Sequence, residues 1–178
     1  MSGLLRFLGL VNAAVWLGAG VFFTVAVGPA VFSEEMRSLL GDRNFPYFSG
    51  AIAGLLVSRL FRLQIVCASL AVAHLLAEWA WLRRPLRRVE TYCVAVLTAL
   101  VLMGAFWWQP EIHRLHRIKH AVNLPAAVRE VAAHRLRWWH GTAQAANLLV
   151  IAGLLLYLNR VARPADAPRF LPSFKLRS

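Results

Sequence analysis

The chain has 178 residues, of which 59% are apolar and 16% charged, and the apolar residues fall in long unbroken blocks. A soluble helix interrupts its apolar face every few positions, so this pattern excludes an ordinary soluble domain and points to a membrane protein. Twenty Lys and Arg against eight Asp and Glu give a net charge of +12. Because these cations cluster at the ends of apolar blocks, they read as partners of anionic lipid headgroups and not of nucleic acid.

Residues 7–32 carry no charge. That is longer than the roughly 20 residues needed to cross about 30 Å of hydrocarbon, and too long for the core of a cleaved signal peptide. A second apolar block covers 60–82, and the stretch 47–58 before it continues the same helix upstream. The turn Arg83-Arg84-Pro85-Leu86-Arg87-Arg88 ends this span, since proline breaks the helix and four arginines resist translocation. Third and fourth blocks cover 91–110 and 141–159. The expected fold is an all-α integral membrane four-helix bundle over residues 1–162, followed by a basic, proline-containing tail, 163–178.

Four crossings put both termini on one side. Basic residues number ten on each side, so only the packed arginine turn orients the chain, placing both termini in the cytoplasm. Between spans three and four, residues 111–140 are polar but helix-compatible, with Asn123-Leu124-Pro125 as a turn. Spans three and four are therefore expected to extend beyond the bilayer as a helical hairpin. Leu115, Ile118 and Val122 would pack on Val128, Val131 and Leu136. No internal repeat and no nucleotide-binding motif is evident.

Three groups of residues invite a chemical reading. His113, His116 and His120 stand at i, i+3 and i+7, one helical stripe, with His134 on the facing arm. Neutral imidazole ligates transition metals and haem iron, although Arg114, Arg117 and Lys119 oppose a cation there. His74 and Glu78 lie one turn apart inside span two, as a structural pair or a proton relay. His140, Gln144 and Asn147 form a polar stripe entering span four, with Asn12 and Gln64 as interhelical partners. Small residues spaced by four, Ala14/Gly18, Ala73/Ala77 and Gly141/Ala145, would let helices approach closely. Trp79, Trp81, Trp107, Trp108, Trp138 and Trp139 sit at span ends as aromatic belts. Cys67 and Cys93 lie in apolar blocks and form neither a CxxC pair nor a disulfide framework.

These residues also carry a resemblance. Trp16-Leu17-Gly18 through Gly28-Pro29-Ala30-Val31-Phe32, then Ala53-Gly54 with Leu60-Phe61, then Gln109-Pro110, and finally Trp139-His140-Gly141-Thr142 with Asn147-Leu148 resemble the transmembrane protein 205-like family. That is a group of small four-helix membrane proteins with many uncharacterised bacterial members. The resemblance implies a bacterial inner-membrane four-helix fold with Gly18, Pro29, Phe32, Phe61, Pro110, His140, Gly141 and Asn147 as motif positions, and brings with it no established enzymatic reaction. Thr142 stands where the family has serine. No sequence arrangement resembles a nucleophile with its base. The function expected is that of a non-enzymatic accessory or organising subunit, associating with itself or a larger membrane complex and needing no cofactor. The alternatives are a transition-metal or haem carrier using the histidines, and a small-solute or proton transporter.

Overall fold

A chain in lipid has no water to satisfy its backbone, so long apolar segments must pair their peptide groups internally, as helices. The computed structural model describes residues 2–82 and 88–162, all helix and short connections. The arginine turn at 83–87 and the tail 163–178 lie outside the described residues. Helix α1 (Ser2–Phe22) runs through a π-helical turn (Phe23–Val27) into the short α2 (Gly28–Val31). Helix α3 (Glu34–Leu40) follows, then α4 (Phe45–Leu82). Helix α5 (Arg88–Met103) runs through a second π-helical turn (Gly104–Trp108) into α6 (Gln109–Lys119), and α7 (Ala126–Ala162) ends the described chain.

Four of these continuous helical stretches, Gly3–Val31, Phe45–Trp81, Arg88–Lys119 and Ala126–Ala162, are long and apolar enough to cross a membrane. At about 1.5 Å per residue all four are longer than the roughly 30 Å of a bilayer's hydrocarbon. On α7, Trp139 to Arg160 already covers about 31 Å at 1.5 Å per residue, the thickness of the hydrocarbon. The stretch before the second span is helical, as expected, and the turn between α6 and α7 falls at residues 121–125.

Both π-turns have the same cause. The N–H of Gly28 reaches back to the Phe23 carbonyl, and that of Gln109 to the Gly104 carbonyl, one residue further than in an α-helix. In each case the next residue is a proline, Pro29 or Pro110, which offers no N–H and crowds the carbonyl four residues back. A widened turn just before it relieves that clash. At α3, Ser33 caps the helix by accepting the Met36 N–H at 3.3 Å, with Glu34 and Glu35 in the first turn. Gly41, at φ 73°, ends it.

The spans pack in a ring. Helix α1 lies against α4 and α7, and α5 against the same two from the other side. Ala13, Trp16, Ala71, Val94, Leu97, Leu154 and Tyr157 form the core between them, with Trp16 wholly enclosed. The Arg6 guanidinium donates to the carbonyls of Val161 and Ala162, joining the two described ends of the chain. A second, smaller core at the opposite end joins α6 to α7 through Leu115, Ala132 and Leu136, with Ile112, Ile118 and Trp139. Leu115, Ile118 and Leu136 meet as the periodicity predicts. Val122, Val128 and Val131 do not, being 93%, 45% and 60% exposed. Ala132 takes the place expected of Val131, because one residue turns the helix by about 100° and its neighbour therefore faces solvent.

The chain also contains a repeat that its sequence conceals. The first π-turn begins at Phe23 and the second at Gly104, 81 residues on. The same offset relates Pro29 to Pro110 and the start of α4 (Phe45) to the start of α7 (Ala126). It also relates the buried positions Ala13, Trp16 and Gly20 to Val94, Leu97 and Val101. Two helical hairpins with matching π-turns, prolines and helix starts thus face each other across the core, although the first is broken at residues 32–33, where the corresponding part of α6 is continuous. Their residues differ because the core needs complementary sizes: Ala13 is matched by a larger Val94, and Trp16 by a smaller Leu97.

Candidate functional site

Polar side chains inside the ring join one helix to another. Asn12 donates its amide to the Cys67 carbonyl at 2.9 Å, tying α1 to α4. Asn147 donates to the Thr24 hydroxyl at 2.8 Å, and Thr24 in turn donates to the Gly20 carbonyl at 2.8 Å. Gln109 donates to the Ser58 hydroxyl and, at 3.4 Å, to the Gly54 carbonyl. Cys93 donates its S–H to the Gly153 carbonyl at 3.4 Å.

Two of these bonds lie at the π-turns. The first π-turn, in α1's span, is held by α7, from the second hairpin. Gln109, at the end of the second, is held by α4, from the first hairpin. Each hairpin therefore secures the widened turn of the other.

The stripe His140, Gln144, Asn147 is only partly drawn inward. Asn147 finds Thr24, not the expected Asn12 or Gln64; Gln64 is buried in α4, 3% exposed. Gln144 faces outward. It lies three residues before Asn147, about 60° further round the helix and away from the buried face. His140 is also exposed. Thr24 and Ser58 were not singled out by sequence, and Gln109 only within the Gln109-Pro110 motif and not as an interhelical partner, although Thr24 stands five residues before a proline.

His74 and Glu78 are not paired: among the described residues no hydrogen bond or ion pair joins them. Both nitrogens of His74 are buried without a partner, and its ring lies on Gly9, where a Cβ would approach Nε2 to 2.7 Å. The close approaches in this bundle are glycine against a large ring or branched chain: Gly9 on His74, Gly104 on Phe61 and Gly153 on Leu97. The expected small pairs instead face outward at Ala14/Gly18, Ala73 and Gly141/Ala145, with open space around Gly18 and Gly141. Among the other motif positions, Pro29 and Pro110 follow the π-turns, Phe61 fills the space over Gly104, and Phe32 is exposed at the end of α2.

His113, His116 and His120 do share one stripe of α6, but that stripe is turned against α4. The His113 ring lies over Gly54 and the His116 ring over Gly50, where a Cβ on either glycine would overlap them. His116 stacks on Tyr47 at 5.4 Å between ring centroids and stands 4.8 Å from His120, which meets the edge of Tyr47 at 5.5 Å. These rings lie past the uncharged stretch 91–110. Burial, reinforced by repulsion from any charge on His120, Lys119, His113 and His140, pushes the His116 imidazole down to about 4, and burial beside Lys119 lowers His120 too. The His116 ring is therefore neutral near pH 7. Among the described residues no three His, Cys, Asp or Glu side chains are grouped to hold a metal ion. His134 is exposed on α7.

Among the belt residues, Trp79, Trp81, Trp107 and Trp138 are exposed, and Trp139 meets both Trp107 and Trp138 edge to face. Comparison with curated proteins and with solved structures gives no match. A family model described as a domain of unknown function, DUF4149, matches residues 11–121, from the middle of α1 through the second and third candidate spans to the histidine stripe. That match covers well over half of the 178 residues, and the chain belongs to the DUF4149 family.

Proposed function

We propose that this protein is a non-enzymatic membrane bundle that works by association, as an accessory or organising subunit, and that its contact surface is a helical head outside the bilayer. The observation that carries the reading is the contrast between the two ends of α7. Inside the ring, polar groups are joined helix to helix around an enclosed core. Beyond Trp138, on the arm paired with α6, the apolar side chains Val128 and Val131 are left exposed, with Val122 at the tip. Exposed apolar surface outside lipid is characteristic of a contact surface.

The head is larger than the two-helix hairpin that periodicity suggested. Arg59 to Trp81 on α4 already spans about 33 Å, so residues 45–58 of α4 stand beside α6 and the first part of α7. The arginine turn supports an orientation with the termini in the cytoplasm, and the transmembrane protein 205-like resemblance supports a four-crossing placement in a bacterial inner membrane. Detergent-corrected light scattering and cross-linking of the full chain test the reading. Self-association or a defined partner that is lost in Val128→Glu/Val131→Glu supports it. A chain that stays monomeric and captures nothing through that face overturns it.

A further inference from the structure

Two guanidinium groups stand on the lipid side of α4. Arg59 and Arg62 are exposed, separated by three residues, and among the described residues neither has an ion-pair or hydrogen-bond partner. They lie at the end of the span remote from the chain termini, about 33 and 28 Å along α4 from Trp81. Directly below Arg62 runs a groove of about 330 Å³ between α4 and α5. Its α4 wall includes Ser69, Val72, Ala73 and Leu76, and its α5 wall is Thr98 and Leu102. Ile65, Ser69, Val72 and Leu76 follow Arg62 at i+3, i+7, i+10 and i+14, so the charge and the groove share one helical stripe.

The groove is ordered along its length. Phe61 packs on Gly104 and the two helices run antiparallel, so Thr98, six residues before Gly104, is level with the residue six after Phe61. That places Thr98 five residues, about 8 Å, below Arg62. Its hydroxyl is buried without a hydrogen-bond partner, and Ser69 offers a second hydroxyl at a similar depth. Below both, Val72, Ala73 and Leu76 are wholly apolar. From the interface inward the stripe therefore presents cations, then hydroxyl donors, then hydrocarbon.

We infer that this stripe is a binding site for one anionic glycerophospholipid in the leaflet opposite the termini. Its phosphate is held by Arg62 and Arg59, its ester carbonyl accepts from Thr98 or Ser69, and one acyl chain lies along the groove. Each part of the lipid meets the group its chemistry requires. Guanidinium is the preferred side-chain partner of phosphate, and basic residues at a charged membrane surface add about 1 kcal/mol each. An ester group satisfies a hydroxyl that bare hydrocarbon would leave unpaired. A helix of a second copy seated in the same groove would leave the two arginines unneutralised.

Native mass spectrometry of the full chain in mild detergent, titrated with phosphatidylglycerol or phosphatidylcholine, tests the site. Phosphatidylglycerol should remain as a one-to-one adduct and outcompete phosphatidylcholine. Arg59→Gln/Arg62→Gln should weaken its retention about 30-fold, the equivalent of two such charges, whereas Arg59→Lys/Arg62→Lys should restore most of it. Ala73→Phe, which fills the groove and leaves the arginines in place, should also displace the lipid. Circular dichroism checks that each variant keeps its helices. Equal retention of the two lipids, or phosphatidylglycerol adducts unchanged in both the glutamine pair and Ala73→Phe, overturns the assignment. So does a Ser69→Cys variant that forms a disulfide between copies in the membrane, which would give the groove to a second chain. These outcomes concern the lipid face of α4 and α5 and are independent of whether the head associates.

Discussion

Gly50 and Gly54 are small because histidine rings occupy the space where their side chains would be. Adding one methyl at either position forces the ring or the helix to move, and overpacking of this kind costs about 1–3 kcal/mol. Gly50→Ala and Gly54→Ala should therefore lower thermal stability in detergent. Gly18→Ala and Gly141→Ala, with open space around them, should be neutral or slightly stabilising through helix propensity. Four-residue spacing had suggested Gly18 and Gly141 as the close-packing glycines. Spacing identifies a shared face but does not say which way that face points, and the glycines that matter were set by rings on another helix. Asn147 was legible as a polar residue in hydrocarbon that needs a partner; its partner, Thr24, was not, because a hydroxyl that can bond back to its own helix looks self-sufficient. Asn147→Leu removes the bond to Thr24 and should destabilise the bundle by about 0.6–1.7 kcal/mol, read as a lower unfolding midpoint in a denaturing-detergent titration. An unchanged midpoint would deny the bond any net contribution.

At the scale of elements, α6 illustrates how a correct periodicity supports a wrong environment. The i, i+3, i+7 spacing of His113, His116 and His120 gave one stripe, which is what the helix forms. The upstream extension of α4 over 47–58 was legible too; what sequence could not show is that this extension packs on the histidine face, with the rings lying over Gly50, Gly54 and Tyr47. This contact has a pH dependence with a definite sign. The His116 imidazole is near 6.5 when unfolded and about 4 when packed. Lowering the pH through that window lets the unfolded state take up a proton that the folded state refuses. The contact should be fully stable above about pH 6.5, weaken as the pH falls to about 4, and change little below. Hydrogen exchange of the α6 amides across that range measures it. His116→Gln should flatten the profile, and an equal slope in the variant would remove His116 as its source.

At the scale of the whole molecule, four helices long and apolar enough to cross a membrane were legible because apolar blocks of bilayer length are the strongest signal a sequence carries. The repeat was not, because burial follows the 81-residue offset while residue identity does not: Trp16 and Leu97 fill equivalent places with different volumes. The four-crossing arrangement makes Gly3 and Val122 a decisive pair, since three crossings separate them and only an odd number places them on opposite sides. The native thiols do not interfere, Cys67 being buried and Cys93 half-buried within the bundle. With the termini in the cytoplasm, a Val122→Cys chain should react with a membrane-impermeant maleimide in spheroplasts, whereas Gly3→Cys should react only after the membrane is opened. The reverse pattern would keep the crossings and invert the orientation, putting the basic head in the cytoplasm and the lipid-binding arginines in the inner leaflet. Reaction of both positions from the same side would remove one crossing, and with it the enclosed ring in which Asn12, Thr24, Gln109 and Asn147 find their partners.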